Sequence, residues 1–406
     1  MVVRLWHSVA RGSWVGEPVD LIGRSDAPPK DQRRGGRARA DAGSCRLHSG
    51  LRDRVTWPVI ICGVSSAARD GLRLCTSVVA KPVSEVAALF KAAARPHAAS
   101  GAVTAVAAGW EPDPDPGSLP DYCSAGTTRV TDCVAAEIAG VILDNKGVVK
   151  GTATIETIYW EALSNKSLTS SMGGKAVVTA ATGSAAANST VNGTAVCSTN
   201  CTVAGNSTTK LPLVIGDYMR GAWTITAATP GATPLTSTRK MKLTLASPAP
   251  TVPGSGTTPA LSTSRCDNSA GLAGIGKGCV YPAVTPVFLL SGTVTPVSPV
   301  HAAFVASAQA SLAGHPGRPD GTVLNRDTDD AAKTARRTLS CKGFVKTDDN
   351  DSCDEYPFAS TTQGGAPAIV SHVPLTDNTN GGNKLNNFFQ TNRVINQDAF
   401  FVQVVG

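Results

Sequence analysis

Cys353-Asp354-Glu355-Tyr356-Pro357-Phe358-Ala359-Ser360-Thr361 sets two adjacent carboxylates between a cysteine and a proline, with Gly364-Gly365 just beyond. Carboxylate pairs in a polar, turn-rich setting suit a hydrolytic metal site, because hard cations take oxygen ligands and activate water. Neighbours on a regular strand point to opposite faces. Either the backbone turns at 354–355, or one carboxylate acts and the other is structural. Tyr356 precedes proline and is biased to extended geometry. The plainer reading is a pair of surface acids beside a disulfide.

Cys353 is the last of eight cysteines that fall into four local couples from Cys123 onward: Cys123/Cys133, Cys197/Cys201, Cys266/Cys279 and Cys341/Cys353. Even numbers in close couples read as disulfides formed in an oxidising compartment. None has zinc-ribbon spacing. Closing the Cys341–Cys353 loop is worth about 3 kcal/mol by the chain-entropy account and would position the acidic pair. Cys45, Cys62 and Cys75 remain as an odd set.

The chain has 406 residues, 42% hydrophobic and 17% charged, enough for two or three domains with cores. Aromatics are 5%, and Ala, Gly, Ser, Thr and Val dominate, which suits short strands. No run of 18 apolar residues occurs, so no membrane-spanning helix is expected. The net charge of +7 is an N-terminal property. Residues 1–110 carry 16 Lys and Arg against 8 Asp and Glu, leaving 21 against 22 for 111–406. Whole-domain charge therefore gives the C-terminal part no bias toward nucleic acid.

Residues 1–110 are Arg- and Gly-rich at the start and aperiodic, and read as a largely disordered or mis-called extension. No charged start with an apolar core follows Met1, and 90–108 only loosely resembles a leader. The run 111–120, Glu-Pro-Asp-Pro-Asp-Pro-Gly-Ser-Leu-Pro, reads as a stiff linker. Residues 121–248 read as an all-β, sandwich-like domain. Strands are expected around Asn145-Lys146-Gly147 and at 175–181, 211–215, 222–227 and 240–245, with a Ser/Thr/Asn-rich loop over 183–210. That loop holds Asn-x-Ser/Thr triplets at Asn188, Asn192, Asn200 and Asn206, taken as polar loop composition. A second linker is expected over 247–262. Residues 263–406 mix helices, at 301–312, 329–339 and 385–389, with strands at 285–291 and 400–405, an α+β pattern.

Over this third region the chain resembles the NucA/NucB family of secreted bacterial deoxyribonucleases. Arg265-Cys266-Asp267, Gly278-Cys279-Val280-Tyr281-Pro282, Gly314-His315-Pro316, Arg326, Arg336-Arg337, Asp354-Glu355-Tyr356-Pro357, Thr376-Asp377-Asn378 with Gly381-Gly382, Asn387 and the closing Asn392-Arg393-Val394 follow the family's order. Two departures stand out. Phe304-Val305 sits where members often have His-Ile, and Asn325 sits where longer members have histidine.

The resemblance implies a secreted, disulfide-stapled endonuclease that cuts DNA with little sequence preference. Mg²⁺ or Mn²⁺ would be held by Asp354 and Glu355, with Asp354 the favoured catalytic group, Glu355 its metal partner and His315 a base or ligand. Arg326 and Arg336 would clamp phosphate, and Asn378 and Asn387 would bind substrate or orient the metal's water. His372 matches no motif and reads as surface. The β-rich part would be an accessory module, able to meet a cell surface or an inhibitor. Two rivals stay open: an extracellular binding protein with a degenerate nuclease domain, and a secreted DNA-degrading toxin.

Overall fold

The computed structural model describes residues 73–93 and 109–405, apart from Asn145, 184–188, 247–252, Ala273 and 294–298, plus the backbone of short strands within 2–20 and of Ile61–Val64. The described chain is strand-rich with few helices. A large curled antiparallel sheet comes first and a helix-bearing region follows.

The sheet is built on alternation. Along Tyr218–Ala227 the buried residues are Met219, Gly221, Trp223, Ile225 and Ala227. Along Arg239–Ala246 they include Arg239, Met241, Leu243 and Leu245. The large sheet runs through Cys201–Ala204, Tyr218–Ala227, Thr169–Thr182, Val149–Ala162, Thr131–Leu143, Arg73–Lys81 and Ile61–Val64. A second sheet joins Leu211–Pro212, Thr190–Cys197, Arg239–Ala246 and Pro253–Thr257. Trp110, Ile138, Ile155, Tyr159 and Trp223 from the first meet Val191, Met241 and Leu243 from the second in one core. Its centre is tight. Trp110 stacks on Trp223 at 6.3 Å, and a Cβ on Gly221 would sit 2.5 Å from the Trp223 ring. Only glycine lets that strand lie under an indole.

Several expectations are corrected here. Within the supposedly disordered 1–110, Arg73–Lys81 pairs residue for residue with Ala135–Leu143, and helix Val83–Ala92 buries Val86, Ala87 and Phe90. Cys75 is disulfide-bonded, so it is not a leftover thiol. Cys45, His97 and most of the Arg-rich start lie outside the described residues. The 111–120 linker is packed: Gly109–Pro112 pairs with Met219–Ala222, and Asp113 is ion-paired to buried Lys175 at 2.8 Å. The 247–262 linker includes Pro253–Thr257, laddered onto Lys242–Ala246, and the buried Leu261. Strand pairing and an ion pair hold the first stretch, and strand pairing with buried Leu261 holds the second, despite their proline and glycine content. The 183–210 loop contains the strands Thr190–Cys197 and Cys201–Ala204. The amides of Asn192, Asn200 and Asn206 donate to backbone carbonyls.

All four local cysteine couples are disulfides: Cys123–Cys133, Cys197–Cys201, Cys266–Cys279 and Cys341–Cys353. Cys133 lies on the sheet strand Thr131–Leu143, opposite Trp160, and its bond to Cys123 ties the short helix Tyr122–Ala125 to the large sheet. The C-terminal core gathers Phe288, Leu290, Val305, Leu324, Tyr356, Phe389, Phe400 and Val402. Around it lie the sheet Val287–Ser291, Ala399–Val405 and Leu324–Asn325, the hairpin Asp351–Tyr356 with Ile369–Pro374, and helices Pro299–Ser311 and Leu375–Thr391. The last helix runs through Asn378 and Gly381-Gly382, well ahead of the 385–389 expected from sequence. No helix is long and apolar enough to cross a membrane among the described residues.

Candidate active site

Strand Asp351–Tyr356 carries the two carboxylates into a cavity of about 620 Å³. Asp354 and Glu355 are each only 4% exposed, and both line it. Their flanks differ, as alternation requires. Asp354 faces helix Pro299–Ser311, and its Oδ2 lies 2.5 Å from His301 Nδ1. Glu355 faces helix Asp330–Ser340, and its Oε1 accepts from Arg337 Nε at 3.2 Å. Both acids line the cavity although the strand pairs without a break through them. Surface acids beside a disulfide do not describe this pair.

His301 is buried. Its ring lies nearly parallel to Phe358, with centroids 6.3 Å apart, and faces Gly381 on helix Leu375–Thr391. A Cβ at Gly381 would come within 2.8 Å of His301 Nε2, so a bare backbone is what lets the helix close over the imidazole. With Asp354 ionised, Nδ1–H is the donor, which fixes the tautomer and holds the carboxylate.

Burial pushes the Glu355 carboxyl above the usual carboxylate range; the Arg337 charge pulls it back and the Asp354 charge adds to the rise. A base or ligand at Glu355 works only when ionised, so activity should be present above its pKa and lost as pH falls through it. Arg337→Gln removes the charge that opposes the rise. The acid limb of the pH–rate profile should then move to higher pH, by about one unit. An unmoved or lowered limb in this variant would detach Glu355 from the profile.

Arg337 is the freest cation here, with its side chain 69% exposed. It lines the rim with Lys333, one turn earlier on a helix that buries none of its residues. Polar tethers hold that helix. Asp329 caps its first turn, Arg336 donates to Ala359 O and Asp327, and the Cys341–Cys353 disulfide ties its end to the carboxylate strand.

The cysteines serve the site unequally, and none of the eight lines the cavity. Cys341–Cys353 acts on it through the strand of Asp354. Cys123 and Cys133, like Cys197 and Cys201, brace the β-rich region and touch no part of it, so they are structural rather than site residues. Cys266–Cys279 joins two neighbouring strands, Ser264–Asp267 and Gly278–Val280, away from the carboxylates.

Asn378 lines the cavity and donates to Ser352 Oγ and Cys353 O, both at 3.2 Å. Arg326 lines it too, but its guanidinium donates to Val394 O and Gly271 O and covers the Phe389 ring at 4.4 Å. Burial lowers its pKa to about 10. Arg336 spends its donors on the tethers just named. Asn387 is exposed, and its neighbour Asn386 lines the cavity instead.

His315 does not join the carboxylates. Its Nδ1 pairs with Gln309 O at 2.8 Å at the end of helix Pro299–Ser311, and it is exposed. Its loop supports the strand from behind, since Tyr356 donates to Pro316 O at 2.7 Å. His372, read as surface, is half-exposed and pairs with buried Asp351 at 2.6 Å.

Sequence reasoning gave no site role to His301 or Lys333, and read Arg337 and Gly381 only as parts of the family pattern. Phe304-Val305 was read as standing where members often have His-Ile, yet the same helix carries His301 one turn earlier. Its signal was spacing: 301, 305 and 308 share one apolar helical face. The arginine pair was seen, but adjacent helical residues diverge by about 100°, and only the second faces the cavity.

Mg²⁺ and Mn²⁺ are held by one or two carboxylates, with water and substrate phosphate completing the sphere. Two buried carboxylates on one roomy cavity fit that donor set. Among the described residues no three His, Cys, Asp or Glu side chains converge as an all-protein cage. No curated protein matches the chain. Its C-terminal region, over residues 313–403, which include Arg337, Asp354, Glu355 and Gly381, matches the family model of Deoxyribonuclease NucA/NucB.

Proposed function

We propose that the chain is an extracellular, metal-dependent endonuclease that hydrolyses DNA phosphodiesters with little sequence preference. The observation that carries this is two buried carboxylates on one cavity, Asp354 braced by His301 and Glu355 by the exposed Arg337, inside the deoxyribonuclease-matched segment.

Asp354 and Glu355 would hold Mg²⁺ or Mn²⁺, which supplies charge neutralisation and a more acidic water. Arg337 and Lys333 at the rim present cations to non-bridging phosphate oxygens, a contact blind to base identity. As water forms the new P–O bond, Asp354 would take its proton and return it to the leaving oxygen when the old P–O bond breaks, while His301, as a positioning residue, keeps the carboxylate aimed. Asn378 fixes the strand by bonding Ser352 and Cys353. The four local disulfides and the bonded Cys75 support an oxidising location.

The test is plasmid relaxation by the full chain. Cleavage is expected with Mg²⁺ or Mn²⁺, loss with a chelator, and recovery on adding the cation back. Products should show no preferred end sequence. A wild-type protein inert in every cation would leave the site to a binding role.

A further inference from the structure

We propose that Arg129, in the β-rich region, is a positioning residue for the candidate active site. It fixes the turn at 392–398, and that turn holds Arg326 and Phe389 in the cavity wall. The kinetic part of this inference rests on the nuclease reading; the conformational part does not.

Arg129 is 7% exposed and lies two residues before the sheet strand Thr131–Leu143. Its guanidinium leaves the β-rich region. Nε donates to Asn392 O at 2.9 Å, and Nη2 reaches Asp398 Oδ2 at 2.9 Å and Arg393 O at 3.4 Å. Nη1 donates to Val284 O at 2.8 Å and Pro282 O at 3.1 Å. A planar fork can bind both ends of one turn at once, which an ammonium cannot. Asn165, also from the β-rich region, adds a bond to Thr391 O at 2.7 Å.

The gripped turn leads straight to the cavity. Arg326 N donates to Asp398 O at 2.9 Å, and Gln397 N donates back to Arg326 O at 2.7 Å. The Arg326 guanidinium bonds Val394 O, and Val394 N bonds Phe389 O at 2.9 Å. Arg326 and Phe389 both line the cavity. Two links therefore join Arg129 to the site wall. The family-matched residues contain the turn but not Arg129, so this support comes from outside them.

Removing Arg129 does not orphan a charge. Asp398 keeps Arg265 Nη1 at 2.6 Å, so the full-length Arg129→Met chain should fold. In it, amides of Arg326, Val394 and Gln397 should exchange about tenfold faster as the turn opens locally. Amides within Ala135–Ile142 should exchange as in wild type. The kcat for plasmid cleavage should fall about tenfold with KM unchanged, as expected when a site wall shifts without losing a substrate contact. Arg129→Lys should not restore it, because lysine lacks the fork. Asn165→Ala should speed the same amides to a smaller extent. Unchanged exchange at these amides in Arg129→Met would overturn the proposal. So would acceleration across the whole chain, or local acceleration with normal kcat. If the wild-type chain cuts no DNA, the nuclease reading fails, and the exchange pattern still decides whether Arg129 holds the turn.

Discussion

Asp354→Asn is expected to cut plasmid cleavage roughly a thousandfold at saturating DNA and Mn²⁺, within the range lost with a positioned acid–base group. Asparagine keeps the shape and still offers an oxygen to His301 Nδ1–H. What it removes is the charge that would hold a cation and take the proton of the attacking water. The buried contacts of the strand, including Tyr356 to Gln309 and Pro316, remain in place. The melting temperature should therefore shift by no more than about 5 °C. Kinetics and thermal melts on the same preparations check both parts. Activity within tenfold of wild type would move the chemistry away from Asp354.

The second large effect is at Gly381. A valine there would bring Cβ to 2.8 Å from His301 Nε2 and 2.9 Å from Cδ2. The imidazole cannot yield, since Asp354 holds one side and Phe358 covers a face. Either the ring leaves Asp354 or helix Leu375–Thr391 lifts off. Displacement of this order should cost about a hundredfold in kcat. The Nδ1–H···Asp354 pairing, followed by nitrogen NMR of the imidazole, should be lost with it. Gly382→Ala on the same helix meets open space and should keep the pairing. A Gly381→Val enzyme with normal pairing and rate would show the contact to be soft.

What was legible in the sequence follows from how local each signal is. The disulfides, from Cys123–Cys133 to Cys341–Cys353, were readable because their partners lie 4 to 13 residues apart. Strands such as Tyr218–Ala227 were readable because burial alternates along them. The packing of 109–117 was not, because it depends on Trp110 meeting Trp223 and Asp113 meeting Lys175, both far away in the chain. At the site, Asp354 and Glu355 stood out as an unusual dipeptide in a family pattern. His301 did not, since a histidine among alanines becomes meaningful only when a strand 53 residues later presents Asp354 to it. His315 looked functional by its motif, yet helix Pro299–Ser311 ends by turning it to Gln309 O. Arg326 has the right type for phosphate but is committed to Gly271 O and to Val394 O, which the 392–398 turn brings in.

The helix Asp330–Ser340 has a further consequence. Because its side chains contribute nothing to the interior, substitutions at Lys333, Thr334 or Thr338 escape the usual toll on folding, about half a kcal/mol or less for most surface changes. Lineages and engineers alike can retune the rim of the cavity there, while a covalent staple and an N-terminal cap keep the segment in register. Adaptability is concentrated in one short stretch, leaving the acids beneath it untouched.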